Sequence, residues 1–413
     1  MQFHEPMFSK SAIAVLMLIS ICVASAFAVY ASDVMAQDGN SQQTGTEASD
    51  SQSVSDILRG YTIPFIDLDD QSQRQVVIDS EEGVYIGHPT TVLLEDNRTM
   101  FCVYPRGHGR GPIIMKRSDD AGLTWSERLS TPENWATSKE TPTIHRVEDS
   151  SGKKRLIMFS GLYPIRMAVS EDNGETWSSL EPIGDYGGIV AMGSVERLAD
   201  GTYMALFHDD GRFISYSGQR ENPPIFHVYK ILSTDGGLTW SEPEVIASAP
   251  PVHLCEPGLI RSPDGKQMAV LLRENSRQKN SYVIFSNDEG KTWSEPREVQ
   301  GALTGDRHVG KYAPDGRLFI TFRDMCHDSP TRGDWVAWVG TYDDIVKGRE
   351  GQYRVRLRDN KSGPGETGYP GVEVLPDGTI IATSYCDVRD NGQRDPMVMS
   401  VRLKLEELDA MAK

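Results

Sequence analysis

The chain has 413 residues, 38% of them hydrophobic, enough for one large packed domain or two ordinary ones and too apolar for disorder throughout. Its 42 basic residues are outnumbered by 59 acidic ones, a formal charge of −17. There is no basic run to release counterions from a phosphate backbone, so nucleic acid is excluded as the expected partner, and an anionic ligand has to meet a local cluster of arginines.

Residues Met1 to Lys10 carry few charges and Ser11 to Ala31 (SAIAVLMLISICVASAFAVYA) none, with small residues at Ala28, Ala31 and Ala36. This is the layout of a secretory signal over residues 1–36, with an uncleaved anchor as the alternative because the apolar run nears bilayer-spanning length. Either way the remainder is exported, to the periplasm or beyond, and it meets a membrane only if the segment stays uncleaved. Residues 37–60 begin QDGNSQQTGTEASDSQSVSD and read as a polar linker.

Six pairs of short apolar runs follow: TTVLLEDNRTMFCVY, RVEDSSGKKRLIMFS, SVERLADGTYMALFH, GLIRSPDGKQMAVLL, GKYAPDGRLFITF and GVEVLPDGTIIATSY. They centre on Asp-Asn, Ser-Gly or Asp-Gly, as two-residue hairpin turns demand. The turn residues Asp96, Ser151, Asp200, Asp264, Asp315 and Asp377 lie between 49 and 64 residues apart. After each of the first four hairpins comes a second turn of pattern S-x-D-x-G-x-T-W, at Ser118 to Trp125, Ser170 to Trp177, Ser233 to Trp240 and Ser286 to Trp293.

A hairpin plus a further turn gives about four strands per unit, which predicts an all-β, six-bladed β-propeller. The last unit is one strand short, and Gln73 to Asp79 is expected to supply it, closing the ring and removing its edges. Of the five cysteines Cys22 lies in the signal; Cys102, Cys255, Cys326 and Cys386 are read as buried thiols, with pairing among them as the alternative. No metal-binding spacing is present and no cofactor is expected.

With its four S-x-D-x-G-x-T-W turns, its six units and its leader, the chain resembles the Asp-box (BNR-repeat) sialidase superfamily over residues 61–407, leaving 408–413 as a tail. In such turns Asp120, Asp172, Asp235 and Asp288 are structural: each carboxylate accepts backbone N–H groups, the glycine supplies a left-handed conformation and the tryptophan packs between sheets.

The repeat places the starts of first strands and the ends of second strands at one mouth of the tunnel. The starts are Gly87-His88-Pro89, Glu140-Thr141-Pro142, the neighbourhood of Met192-Gly193-Ser194, Cys255-Glu256-Pro257, Asp306-Arg307-His308 and Gly368-Tyr369-Pro370. The ends bring Arg106, His108 and Arg110, then Tyr163, His208-Asp209-Asp210, Arg273-Glu274-Asn275, Arg323-Asp324 and Tyr385-Cys386-Asp387. Arginines directed at one point suit a carboxylate: Arg273 and Arg323 from equivalent positions, with Arg106 or Arg110 opposite.

The resemblance implies the remaining roles. Tyr369, in Gly-Tyr-Pro-Gly-Val-Glu, matches the family's nucleophile and Glu256, in Cys-Glu-Pro-Gly-Leu-Ile, its base; a neutral nucleophile suits a sugar that already bears a carboxylate. Two departures stand out. The first-blade Arg-Ile-Pro triplet is replaced by Gly87-His88-Pro89, so Arg106, Arg110 or Arg307 has to serve as third arginine. The loop RGHGRGPII lacks the usual acid, leaving His108, His208, Asp209 or Asp210 as proton donor.

His88, Glu140, Arg307 and His208 are expected to contact sugar. Among the aromatics, Trp135, Tyr163, Tyr186 and Trp335 suit a pyranose; Trp135 is favoured for contact, while Trp335 and Trp338 read as strand core. The expected activity is a retaining exo-glycosidase releasing a terminal sialic or related acidic sugar from a glycan. Alternatives are a glycosidase or lyase acting on another acidic sugar, a non-catalytic glycan-binding propeller, and a propeller serving structure or protein interaction.

Overall fold

The computed structural model describes residues 57–215, 220–361, 366–388 and 395–412. The expected signal, and the linker up to residue 56, lie outside that set.

All six hairpins form, and each is the inner pair of a blade. The inner strands Thr90–Leu93, Pro142–Glu148, Ile189–Arg197, Leu254–Arg261, Gly305–Tyr312 and Gly368–Val374 neighbour one another in turn, and the last neighbours the first, closing the propeller. Of the second strands, Met100–Pro105, Tyr203–Asp209, Leu318–Asp324 and Ile380–Cys386 are buried along their whole length, and the other two at all but one residue. They are covered on both faces by adjacent blades, which is why they read as continuous apolar runs rather than alternating ones.

The turns differ from the expected two-residue type. Leu198 N–H donates to Thr202 O at 2.7 Å and Gly201 N–H to Leu198 O at 2.9 Å, making a three-residue loop in which Gly201 adopts φ 88°. A turn followed by one left-handed residue needs glycine or asparagine at that place, so the Asp-Gly signal survives with a different geometry. The hairpins at Gly152, Gly316 and Gly378 repeat it, while those at Asn97 and Gly265 are one residue longer.

Gln75–Asp79 pairs antiparallel with Met397–Leu403, Gln75 opposite Val401, and completes the last blade as expected. Two blades depart from four strands. The first has three, because the chain beyond its Asp box enters a 3-10 turn at Glu133–Thr137. The fifth has five, because Phe65–Asp67 adds in parallel to Tyr353–Arg358. The ends of the domain are also tied in: Leu58 O accepts from Gly301 N–H at 2.9 Å and Asn280 Nδ2 at 2.8 Å, and the expected tail opens inside a helix, Leu405–Met411, that buries Leu408.

The Asp boxes share one bonding scheme. In the third, Asp235 Oδ1 accepts from Ser233 Oγ at 2.8 Å and from the N–H groups of Leu238 and Thr239 at 3.0 Å, while Oδ2 accepts from Thr239 Oγ1 at 2.6 Å. Asp120, Asp172 and Asp288 repeat the serine and threonine bonds. Trp240 packs edge-on against Phe159 of the preceding blade, ring centroids 5.6 Å apart. The four cysteines are free and buried.

Candidate functional site

Four inner strands open with a β-bulge, where register slips between Ile189 and Ser194, Cys255 and Gly258, Asp306 and Val309, and Gly368 and Gly371. A bulged residue in each takes a left-handed backbone: Val190 at φ 52°, Glu256 at 51°, Arg307 at 54° and Tyr369 at 55°, with His88 at 58° ahead of blade one. Such a conformation costs non-glycine residues on the order of 1–3 kcal/mol each and has to be held by the surrounding sheet. A bulge re-aims the side chain it carries, and Val190, Glu256 and Tyr369 are so brought, with His88, to one mouth. In blade three the start is Ile189, a little before the expected Met192.

Tyr369 and Glu256 meet there. The Tyr369 hydroxyl donates to Glu256 Oε1 at 2.5 Å, and Arg273 Nη1 donates to the same oxygen at 2.5 Å and to Tyr369 Oη at 3.4 Å. Burial pushes the Glu256 carboxyl up, but Arg273, the Tyr369 hydrogen bond and His208 together outweigh it and hold the group below the usual carboxylate range, so Glu256 is ionised at neutral pH. Burial, reinforced by the Glu256 charge, drives the Tyr369 phenol far above its ordinary value. The pair is therefore a neutral phenol hydrogen-bonded to a carboxylate that can take its proton.

The expected three-arginine clamp is not assembled. The strand register does put Arg273 and Arg323 at equivalent places, opposite Cys255 and Asp306. However, Asp306 is fully buried and gathers arginines to itself: Arg323 through Nη2 at 2.6 Å, Arg273 through Nε at 3.2 Å, and Arg277. Arg323 lies against the Tyr369 ring, 5.8 Å from its centroid, and does not line the cavity. Arg106 is exposed and turned to Glu81, with Nη2 to Oε1 at 2.6 Å. Arg307 is buried, donates to Gly193 O at 2.7 Å and lies off the cavity surface.

Above the Tyr369–Glu256 pair opens a cavity of about 400 Å³, the size class of small-ligand sites. Arg273 is its deep cation, and Arg110, Lys139 and Arg212 stand at its sides. His88, His108, His208, Glu140, Asp210 and Asn275 also line it. His88, in the place of the missing arginine, lies 4.5 Å from the Tyr369 ring centroid to centroid, and burial holds it neutral, well below the usual histidine range. His208 is lowered to about 4, chiefly by burial; its Nδ1 accepts the Glu256 N–H at 3.4 Å, which leaves the proton on Nε2. Among the described residues no group of three His, Cys, Asp or Glu side chains could hold a metal ion.

Two further expectations fail. Trp135 is fully buried, stacked edge-on against Trp177 with its ring N–H donated to Ser178 O at 3.2 Å, so it touches no sugar. Asp209 is buried and points away from the cavity, its Oδ2 accepting the N–H groups of Gly211, Phe213 and Ile214; its neighbour Asp210 lines the cavity instead. Of the other aromatics, Tyr186, Trp335 and Trp338 are core and Tyr163 is exposed. Sequence reasoning gave no role to Asp306, although it starts the blade-five strand in the row that supplies Cys255-Glu256. It also passed over Lys139 and Arg212, whose signal is their place beside Glu140 and Asp210.

A model of the BNR repeat-like domain matches residues 163–381. Xyloglucanase Xgh74A of Acetivibrio thermocellus is 27% identical over 214 residues, 46% of this chain and 24% of the xyloglucanase. A sialidase of Clostridium perfringens is 25% identical over 240 residues, 50% of this chain and 57% of that protein. The chain thus spans about a quarter and just over half of these two relatives. The NanB sialidase of Streptococcus pneumoniae, as its K499G mutant, shares the fold at a TM-score of 0.57 and 13% identity, over 82% of this chain and 73% of that one.

Proposed function

Since the chain belongs to the BNR repeat-like domain family, as a divergent member of the Asp-box sialidase superfamily, we propose that its cavity hydrolyses the glycosidic bond of a terminal acidic sugar, a sialic acid or relative, with retention. The observation that carries this reading is the hydrogen bond from Tyr369 Oη to Glu256 Oε1 with Arg273 on both atoms. Tyr369 attacks the anomeric carbon as its proton passes to Glu256, and the neutral phenol approaches an anionic sugar without the repulsion a carboxylate nucleophile meets. Arg273 steadies the ionised Glu256 and, with Arg110 at the rim, holds the sugar's carboxylate. Arg110 has no ion-pair partner among the described residues, which favours an anionic ligand beside it.

One observation favours a second reading, in which the acidic group sits elsewhere on the sugar, as in a uronate. Asp306 takes up Arg323 and His88 stands where the superfamily places an arginine, so a carboxylate on the anomeric carbon finds fewer cations here. Release of fluorophore from an aryl α-sialoside and an aryl β-glucuronide, by the chain and its Tyr369→Phe variant, separates the two. Turnover of either that the variant abolishes supports the tyrosine reading, whereas turnover of neither by the folded protein defeats it. Export through Ser11 to Ala31 belongs to the same proposal and is checked by cell fractionation.

A further inference from the structure

Three carboxylates line the cavity, and two of them are held by cations. Glu256 has Arg273, and Asp210 has Arg212 and Arg220, each at 2.8 Å. Glu140 is the third. Its Oε2 accepts the Val190 N–H at 3.1 Å and its Oε1 the N–H of Thr141 at 3.3 Å, and no cation pairs with it among the described residues. The room it occupies is set by Gly161, where an added Cβ would come within 2.9 Å of the Glu140 Cγ.

We infer that Glu140 is the acid that protonates the leaving oxygen, and the base that then activates water, in the tyrosine mechanism proposed above, on which this assignment rests. In the first step the Tyr369 oxygen bonds to the anomeric carbon and its proton goes to Glu256. The glycosidic C–O bond breaks, its electron pair stays on the leaving oxygen, and that oxygen takes the Glu140 proton. In the second, water bonds to the anomeric carbon and gives a proton to Glu140, while the departing tyrosyl oxygen recovers its own from Glu256. Each carboxyl ends as it began.

The surroundings suit the two roles. Burial pushes the Glu140 carboxyl up to about 7, with Glu256 adding to the rise and the two N–H groups and Arg212 opposing it. Arg307 of blade five also acts on it, and Lys139, His208 and Asp210 complete the charged and titratable groups of that wall. Two carboxyls whose environments drive them apart, Glu256 downward and Glu140 upward, are the pattern of a base and an acid sharing one site. The alternative donor, His108, is exposed on its rim loop, its ring stacked on Tyr85 at 4.8 Å, whereas Glu140 is held in the wall by two backbone N–H groups.

The test compares kcat/KM, which reports the first covalent step, for an aryl acidic glycoside and for the same sugar linked to a second sugar. Glu140→Gln is expected to lose about 10²- to 10⁴-fold on the sugar-linked substrate. On the aryl glycoside, whose phenol leaves unaided, it is expected to lose less than about tenfold, and on the sugar-linked one to lack the decline that wild type shows above about pH 7. Glu140→Asp, which keeps the acid, recovers part of the loss. Equal losses on both substrates, or none on either, overturn the assignment. Wild-type turnover by Tyr369→Phe is a different result: it removes the nucleophile reading itself. A wild-type chain inert on both glycosides removes both.

Discussion

Arg323 is bound to Asp306 rather than presented to the cavity, with Nη2 and Nε donating to Oδ2 at 2.6 and 2.8 Å. Burial pushes the Asp306 carboxyl up, but Arg323, Arg273 and Arg277 outweigh it and hold it well below the ordinary range. Asp306→Asn takes the shared counter-charge from Arg323 and Arg277 and leaves Arg273 with Glu256 alone, and breaking a buried pair in this way costs about 3–5 kcal/mol, read as a lowered urea midpoint. A depressed carboxyl stabilises fully above its unfolded value, near 4, and the contribution fades as pH falls through the folded value. The gap between wild type and variant therefore narrows below about pH 4.

The rim arginines separate by function. Arg110→Gln is expected to raise KM for an acidic glycoside and lower kcat/KM by about 10- to 100-fold, the worth of one hydrogen bond to a charged group. Arg106→Gln, which disturbs only the surface pair with Glu81, is expected to leave both constants within about twofold of wild type. Steady-state kinetics on the two variants side by side reads the difference.

Buried histidines set a second pH dependence. His208 and His308 are each lowered to about 4 and His145 to about 3, burial being the main cause in all three. Between about pH 6.5 and 4 the unfolded chain binds protons that the folded one refuses, so stability falls as pH falls across that window. Urea melts from pH 4 to 8 are expected to show the slope, and His145→Gln to reduce it.

The Asp boxes carry stability and not chemistry. Asp235→Ala strands two backbone N–H groups and is expected to cost about 1–3 kcal/mol while leaving kcat/KM unchanged. A fall in activity of the folded variant contradicts the assignment.

Much of this arrangement was legible before folding. The hairpin repeat fixed six blades and the closing strand, and it put Glu256, Tyr369 and Arg273 at one mouth because equivalent registers repeat around a ring. What it did not carry was direction and partnership. Along a strand one residue's difference reverses the face, and Asp209 and Asp210 divide on that account: one bonds its own loop, the other lines the cavity. Trp135 follows an irregular turn whose orientation no period encodes. Arg106, Arg323 and Glu140 owe their character to residues distant in sequence or loop, Glu81, Asp306 and the Val190 N–H. Phe65–Asp67 is too short to announce itself as a strand.

The central claim is that Tyr369 becomes bonded to the sugar. The direct measurement is mass spectrometry of protease-cleaved protein after exposure to slow fluorinated acidic glycosides, a sialoside and a glucuronide, that leave the intermediate in place. The expected result is the mass of one sugar on the peptide holding Tyr369, absent in Tyr369→Phe. Turnover of the parent glycoside with no adduct on that peptide, and undiminished in Tyr369→Phe, would contradict it.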